Sequence, residues 1–202
     1  MRNRNKSKRI RCLTECAMLV ALSVVLSFIK IWQMPLGGAV TLVSMLPVCA
    51  VSVRHGMRWG FAASFIYSLC QLVLGITMDG ILGWGLTPAM LIGCMLFDYI
   101  IAFTVLGLAG IFRSSGEKGV YAGMLLAFFC RFVSHVISGY VIFTNLDQWE
   151  VLGRIFSERP VLYSVCYNGF FMLPELVLTM VAVLILMRVP YIRKNVFSAN
   201  TK

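Results

Sequence analysis

At 202 residues, with 59% hydrophobic and only 13% charged side chains and a mean hydropathy of +0.85, the chain has the make-up of an integral membrane protein and not of a soluble domain. Its formal charge of +10 lies mostly in short flanks of apolar segments, where Lys and Arg report membrane orientation, so the charge argues against nucleic acid as a partner. There is room for about six spans of roughly 20 residues and none for an additional soluble domain.

The first eleven residues, "MRNRNKSKRIR", resemble the basic start of a secretory signal. The apolar segment behind them is long, lacks a small-residue cleavage site and leads into further spans, so it reads as a retained first helix with a basic anchor. Spans are predicted at 12–29, 40–54, 59–77, 88–112, 119–143 and 161–188, the second being short for a bilayer crossing. The expected architecture is an all-α six-transmembrane-helix bundle in a single membrane domain, 1–202, with a basic flank at 1–11, the bundle at 12–188 and a basic tail at 189–202.

Basic residues test the model. The N-terminal flank, the 2/3 turn with Arg54 and Arg58, the 4/5 turn with Arg113 and Lys118, and the C-terminal tail with Arg188, Arg193, Lys194 and Lys202 all fall on one side. The positive-inside rule then predicts that both termini are cytoplasmic. The three outward loops hold Trp32, Trp84 and Trp149; such residues belong at an interface, and loops of this length also suit lids over a site.

Within the spans, Glu15, Asp98, Arg131, His135 and Glu175 are ionisable and Asn168 is the strongest neutral polar group. Each costs about 2.5–3.5 kcal/mol at a span centre if charged and unpaired, so they are expected to face the interior and find partners. Asp98, His135 and Asn168 fall on three different helices at one depth, about 12–15 Å below the outer surface. Such a level suits a buried site open to the outside. On the last span Ser164, Asn168, Phe171 and Glu175 recur at helical spacing, a stripe that should face the bundle. Glu175 has two readings, an ion pair with Arg131 that ties spans 5 and 6 together, or a place in the site. Glu15 reads as structural, close to its Arg-rich neighbours. The seven cysteines show no C-x-x-C pair; Cys12 and Cys16 share a helix face but lack further ligands in sequence, so no metal is expected.

The stretches "LTECAMLVAL", "GGAVTLVSMLPV", "LFDYIIAFTVLGLAG", "RFVSHVISGYVIF" and "YSVCYNGFFMLPE", taken in order, resemble the thiamine-specific S-components of bacterial energy-coupling factor transporters. The resemblance implies a membrane subunit that captures thiamine from outside and works with a transmembrane coupling subunit and two ATPases. It implies no cofactor and no enzymatic activity. By the same resemblance Asp98 holds the aminopyrimidine, with Tyr99, Arg131, His135, Tyr163 and Asn168 around the ligand. Phe143 stands where some members carry a stacking tryptophan, and Pro88 where some carry a tyrosine. Ala17 and Ala21 match the pair through which S-components contact the coupling subunit.

The chain has no G-x-x-x-x-G-K-[ST] loop, so energy must come from elsewhere. Rival readings are an S-component for another vitamin such as riboflavin, an intramembrane hydrolase using His135 and Asp98 with Ser134 or Ser138, and a secondary transporter. Against the hydrolase, Ser134 points about 100° away from its neighbour His135 on a helix. Against the secondary transporter, the two halves show no repeat.

Overall fold

The computed structural model describes residues 2–34, 37–143 and 159–197. The loop between the last two spans, with Trp149 and the charged residues Asp147, Glu150, Arg154 and Glu158, lies outside the described residues, as does Lys202 at the tail.

Helix α1 (Arg2–Ser27) begins in the basic flank and continues without a break into the first apolar segment. Cys16, Val20, Ser23 and Ser27 face inward at helical spacing, whereas Leu13, Met18, Leu22 and Val25 are exposed, as a lipid-facing surface requires. Ala17 and Ala21 also lie on the exposed side. After α1 the chain forms a short antiparallel ribbon, β1 (Lys30–Gln33) and β2 (Ala39–Thr41), pairing Trp32 with Val40 and Gln33 with Ala39. Gly37 and Gly38 take φ of 75° and 76°, a backbone region open to glycine without steric cost, and so allow the reversal.

The predicted second span, 40–54, is corrected by the structure. It is the end of the ribbon, an irregular bend and a ten-residue helix, α2 (Leu46–His55), about 15 Å long and too short to cross a membrane alone. Every side chain from Leu46 to Val53 is buried. Its hydrophobicity therefore reflects enclosure by other helices, not contact with lipid.

Among the described residues five helical stretches are long and apolar enough to cross: Lys6–Ser27, Met57–Thr77, Pro88–Gly110, Arg113–Val141 and Pro160–Met187. The second is helix α3 (Met57–Thr77). The third opens as α4 (Pro88–Cys94), with Pro88 in its first turn, where no N–H is needed, and Thr87 capping the Met90 N–H. It continues as a π-helical segment, Met95–Ile101, and ends as a 3-10 stretch, Val105–Gly110. Helix α5 (Gly116–Val141) and helix α6 (Pro160–Met187) complete the bundle, and α7 (Pro190–Asn195) forms the tail.

Basic segments gather at one end of this bundle. Glu15 on α1 reaches Arg11 at 3.1 Å and Arg54 at 2.9 Å, as its Arg-rich surroundings suggested, and Arg193 in α7 meets Glu117 at the start of α5 at 3.0 Å. The ribbon, Trp84 and Phe143 lie at the other end.

The core is built on close backbone approach. Ser52 of α2 donates to the Gly107 carbonyl and accepts from the Gly110 N–H at 3.0 Å. A Cβ on Gly110 would lie 2.2 Å from the Ser52 carbonyl oxygen. Gly110→Ala is therefore expected to destabilise the protein by about 1–3 kcal/mol, the range for overpacking, seen as a lower melting temperature in detergent; an unchanged melting temperature would mean that α2 is not clamped here.

Candidate functional site

Asp98 sits in the π-helical segment, where hydrogen bonds run to the fifth residue and the added residue opens the backbone. The Phe97 carbonyl accepts from Ser134 of α5 at 2.6 Å, which docks the opened turn against that helix. One Asp98 oxygen then lies 2.8 Å from His135 Nδ1, and the other accepts from Ser138. Ser138 lies one turn from both Ser134 and His135 on α5, so the three side chains span the side of that helix turned towards Phe97 and Asp98.

The tautomer follows from the partners. Arg131 Nε donates to His135 Nε2 at 3.3 Å, so the imidazole proton lies on Nδ1 and is donated to Asp98. Arg131, His135 and Asp98 thus form a relay with the carboxylate as its acceptor end. The Arg131 guanidinium also lies 4.3 Å from the centre of the Phe103 ring and contacts the Met45 sulfur. The ring face stabilises a cation that is 5% exposed.

Helix α6 closes the site from the other side. Asn168 donates through Nδ2 to the His135 carbonyl at 3.2 Å and the Ser164 carbonyl at 2.9 Å, while Ser164 donates to the Val136 carbonyl at 2.9 Å. Asn168 is therefore a tie between α5 and α6 as well as a wall of the site. Tyr163 and Tyr167 stack with ring centres 6.0 Å apart, Tyr167 meets Phe171 edge-on at 6.5 Å, and Phe171 does the same to His135 at 5.8 Å.

The expected Arg131–Glu175 ion pair is not present; among the described residues no carboxylate lies in an ion pair with Arg131. Glu175 instead accepts from the Thr41 backbone N–H and, at 2.6 Å, from the Thr41 hydroxyl. The ribbon, which was not predicted, delivers Thr41 to that carboxylate and so takes the place assigned to the arginine. Among the described residues the stripe Ser164, Asn168, Phe171 and Glu175 is buried along α6.

These groups line a cavity walled by both polar and aromatic side chains, the lining that a small-molecule site requires. All seven sequence-predicted site residues, Asp98, Tyr99, Arg131, His135, Phe143, Tyr163 and Asn168, border it. Tyr163 and Asn168 both reach it because Tyr163 stands in the first turn of α6, at its open end. Of the tryptophans, Trp84 lines the cavity and meets Phe143 at 6.2 Å, whereas Trp32 packs on Phe170 at 6.1 Å. At the rim Lys30 and Gln33 of the ribbon hold Asp79.

Sequence reasoning missed Tyr67 and Gln71 on α3, Thr41 and Ser44 near the ribbon, and Tyr167 on α6, all of which line the cavity. Tyr67 and Gln71, like Tyr163 and Tyr167, are four residues apart, a spacing that carried the signal. The serine hydroxyls donate elsewhere than to His135, Ser134 to the Phe97 carbonyl and Ser138 to Asp98. That arrangement ties helices and does not activate a nucleophile.

Comparison with known proteins agrees in length and fold. The family model "Thiamine transporter protein (Thia_YuaJ)" matches residues 13–194. A curated relative named thiamine transporter ThiT, from Bacillus subtilis strain 168, is 28% identical over 207 residues, covering 95% of this chain and 98% of its own. Another of that name, from Lacticaseibacillus paracasei, is 27% identical, covering 96% and 97%. The solved structure of ThiT from Listeria monocytogenes superposes with a TM-score of 0.68 at 20% identity, over 92% of this chain and 98% of that one. At that identity the superposition bears on the fold.

Proposed function

Since the chain belongs to the thiamine transporter protein family and is a multi-pass cell-membrane protein, we propose that it captures thiamine in the cavity around Asp98. Partner subunits, a coupling protein and two ATPases, then drive uptake. The observation that carries the ligand assignment is a carboxylate held in place by His135 and Ser138 inside an aromatic-lined cavity.

Thiamine has a flat aminopyrimidine that donates and accepts hydrogen bonds and a cationic thiazolium that favours aromatic faces. Asp98 retains lone pairs beyond those used by His135 and Ser138, and accepts the exocyclic amine. Arg131 repels the thiazolium, so that ring lies towards the open end, beside Tyr163, Tyr167, Trp84 and Phe143. The basic end of the bundle is cytoplasmic by the positive-inside rule, which turns the cavity mouth outward; the ribbon and α2 together return the chain from the open end to Glu15 at the basic end, so with the five long helices both termini come to lie inside. Ala17 and Ala21 leave a close-approach surface on the exposed side of α1 for the coupling subunit. Transport is also the activity in the names of the relatives.

Tryptophan fluorescence of the detergent-purified protein, titrated with thiamine and with riboflavin, tests the reading, because Trp84 lines the cavity. Saturable quenching by thiamine and none by riboflavin is expected. Quenching by riboflavin alone would assign the cavity to another vitamin.

A further inference from the structure

Cys12 and Cys16 occupy one face of α1, and the end of α2 brings His55 against them. The two sulfurs and an imidazole nitrogen all lie within 4.8 Å of one another. In a tetrahedral zinc site with Zn–S near 2.3 Å, ligand atoms stand about 3.8 Å apart, so the three side chains need to close by about 1 Å at most. Cys16 is 7% exposed and the His55 side chain 8%, while Cys12 is only half-buried and leaves a way in from the bundle's basic end.

Two further observations point to a ligand. His55 Nε2 is buried without a hydrogen-bond partner; Glu15 Oε2 is 3.1 Å away, close enough for electrostatic contact but out of hydrogen-bond geometry. A cation that takes this nitrogen displaces only its contact with Glu15, whose carboxylate is then beside the same ion. Charge is compatible too, since Arg11 and Arg54 share the single carboxylate of Glu15, and one cation is left over to offset the thiolates that form when a metal displaces the thiol protons.

We propose that Cys12, Cys16 and His55 form a binding site for a thiophilic d10 cation, with Zn²⁺ the best match to two thiolates and an imidazole. Glu15 or a water takes the fourth position. Two thiolates and Zn²⁺ are neutral together, which suits a site at the membrane edge. The bound ion joins α1 to α2 and fixes the helix that carries Ala17 and Ala21. The site lies at the opposite end of the bundle from the Asp98 cavity, and its existence does not depend on what that cavity binds.

The test uses the untagged full chain in detergent, with Zn²⁺ titrated against a chromophoric chelator and Co²⁺ as a spectroscopic probe of thiolate ligation. One equivalent of Zn²⁺ and a sulfur-to-cobalt charge-transfer band are expected. Cys12→Ser and His55→Gln should each weaken Zn²⁺ binding by about 100-fold or more and reduce the band. Size-exclusion elution reports folding, and if His55→Gln fails to fold, the half-buried Cys12→Ser decides. Binding that is unchanged in a Cys12→Ser, Cys16→Ser double variant, or no stoichiometric binding by the wild type, overturns the proposal.

Discussion

Asp98→Asn is expected to weaken thiamine binding by about 100-fold or more while leaving the protein folded. A hydrogen bond to a charged group contributes about 1.5–3 kcal/mol, and the lost attraction to a cationic ligand adds to it, with 1.4 kcal/mol per factor of ten. The substitution keeps the shape of the side chain, and its amide oxygen can still accept from His135 Nδ1, which lies 2.8 Å from Asp98 in the wild type. Calorimetric titration in detergent measures the affinity, and the melting temperature reports the fold. Affinity within threefold of wild type would remove Asp98 from the ligand contacts.

Replacing Glu175 with leucine is expected to cost about 1–3 kcal/mol of stability, because the buried Thr41 N–H loses its acceptor and the Thr41 hydroxyl is left with Ser44 alone. The melting temperature should fall steeply, and Glu175→Gln, which keeps one acceptor oxygen, should cost less. Exchanging Arg131 and Glu175 is expected not to restore stability, since an arginine at position 175 offers Thr41 no acceptor. Full recovery in the exchanged pair would instead mean that the two residues form an ion pair in the native protein.

Much of the bundle was legible because lipid imposes a one-dimensional rule: long apolar runs bounded by Pro, Gly and basic residues must be helices that satisfy their own backbone. α3, α5 and α6 begin and end within a few residues of the predicted spans. α2 broke the rule, since an internal helix and a lipid-facing one are equally apolar in sequence. Depth counting brought Asp98, His135 and Asn168 together, because an α-helix rises a fixed ~1.5 Å per residue and the π-helical turn at Asp98 disturbs that count only locally. Partner choice was not legible. Thr41 and Glu175 are 134 residues apart in the chain, and only the ribbon, whose strands are too short to show a period, joins them. The π-helical turn at Asp98 and the arrival of His55 beside Cys12 and Cys16 are likewise products of packing and leave no local signature.

The decisive measurement is a thiamine-bound structure of the purified protein. Capture at Asp98 predicts the exocyclic amine of the aminopyrimidine at about 2.7–3.1 Å from an Asp98 oxygen, with the thiazolium among the aromatic rings at the open end. Thiamine bound elsewhere, or lying in the cavity with Asp98 engaged only by His135 and Ser138, would contradict it.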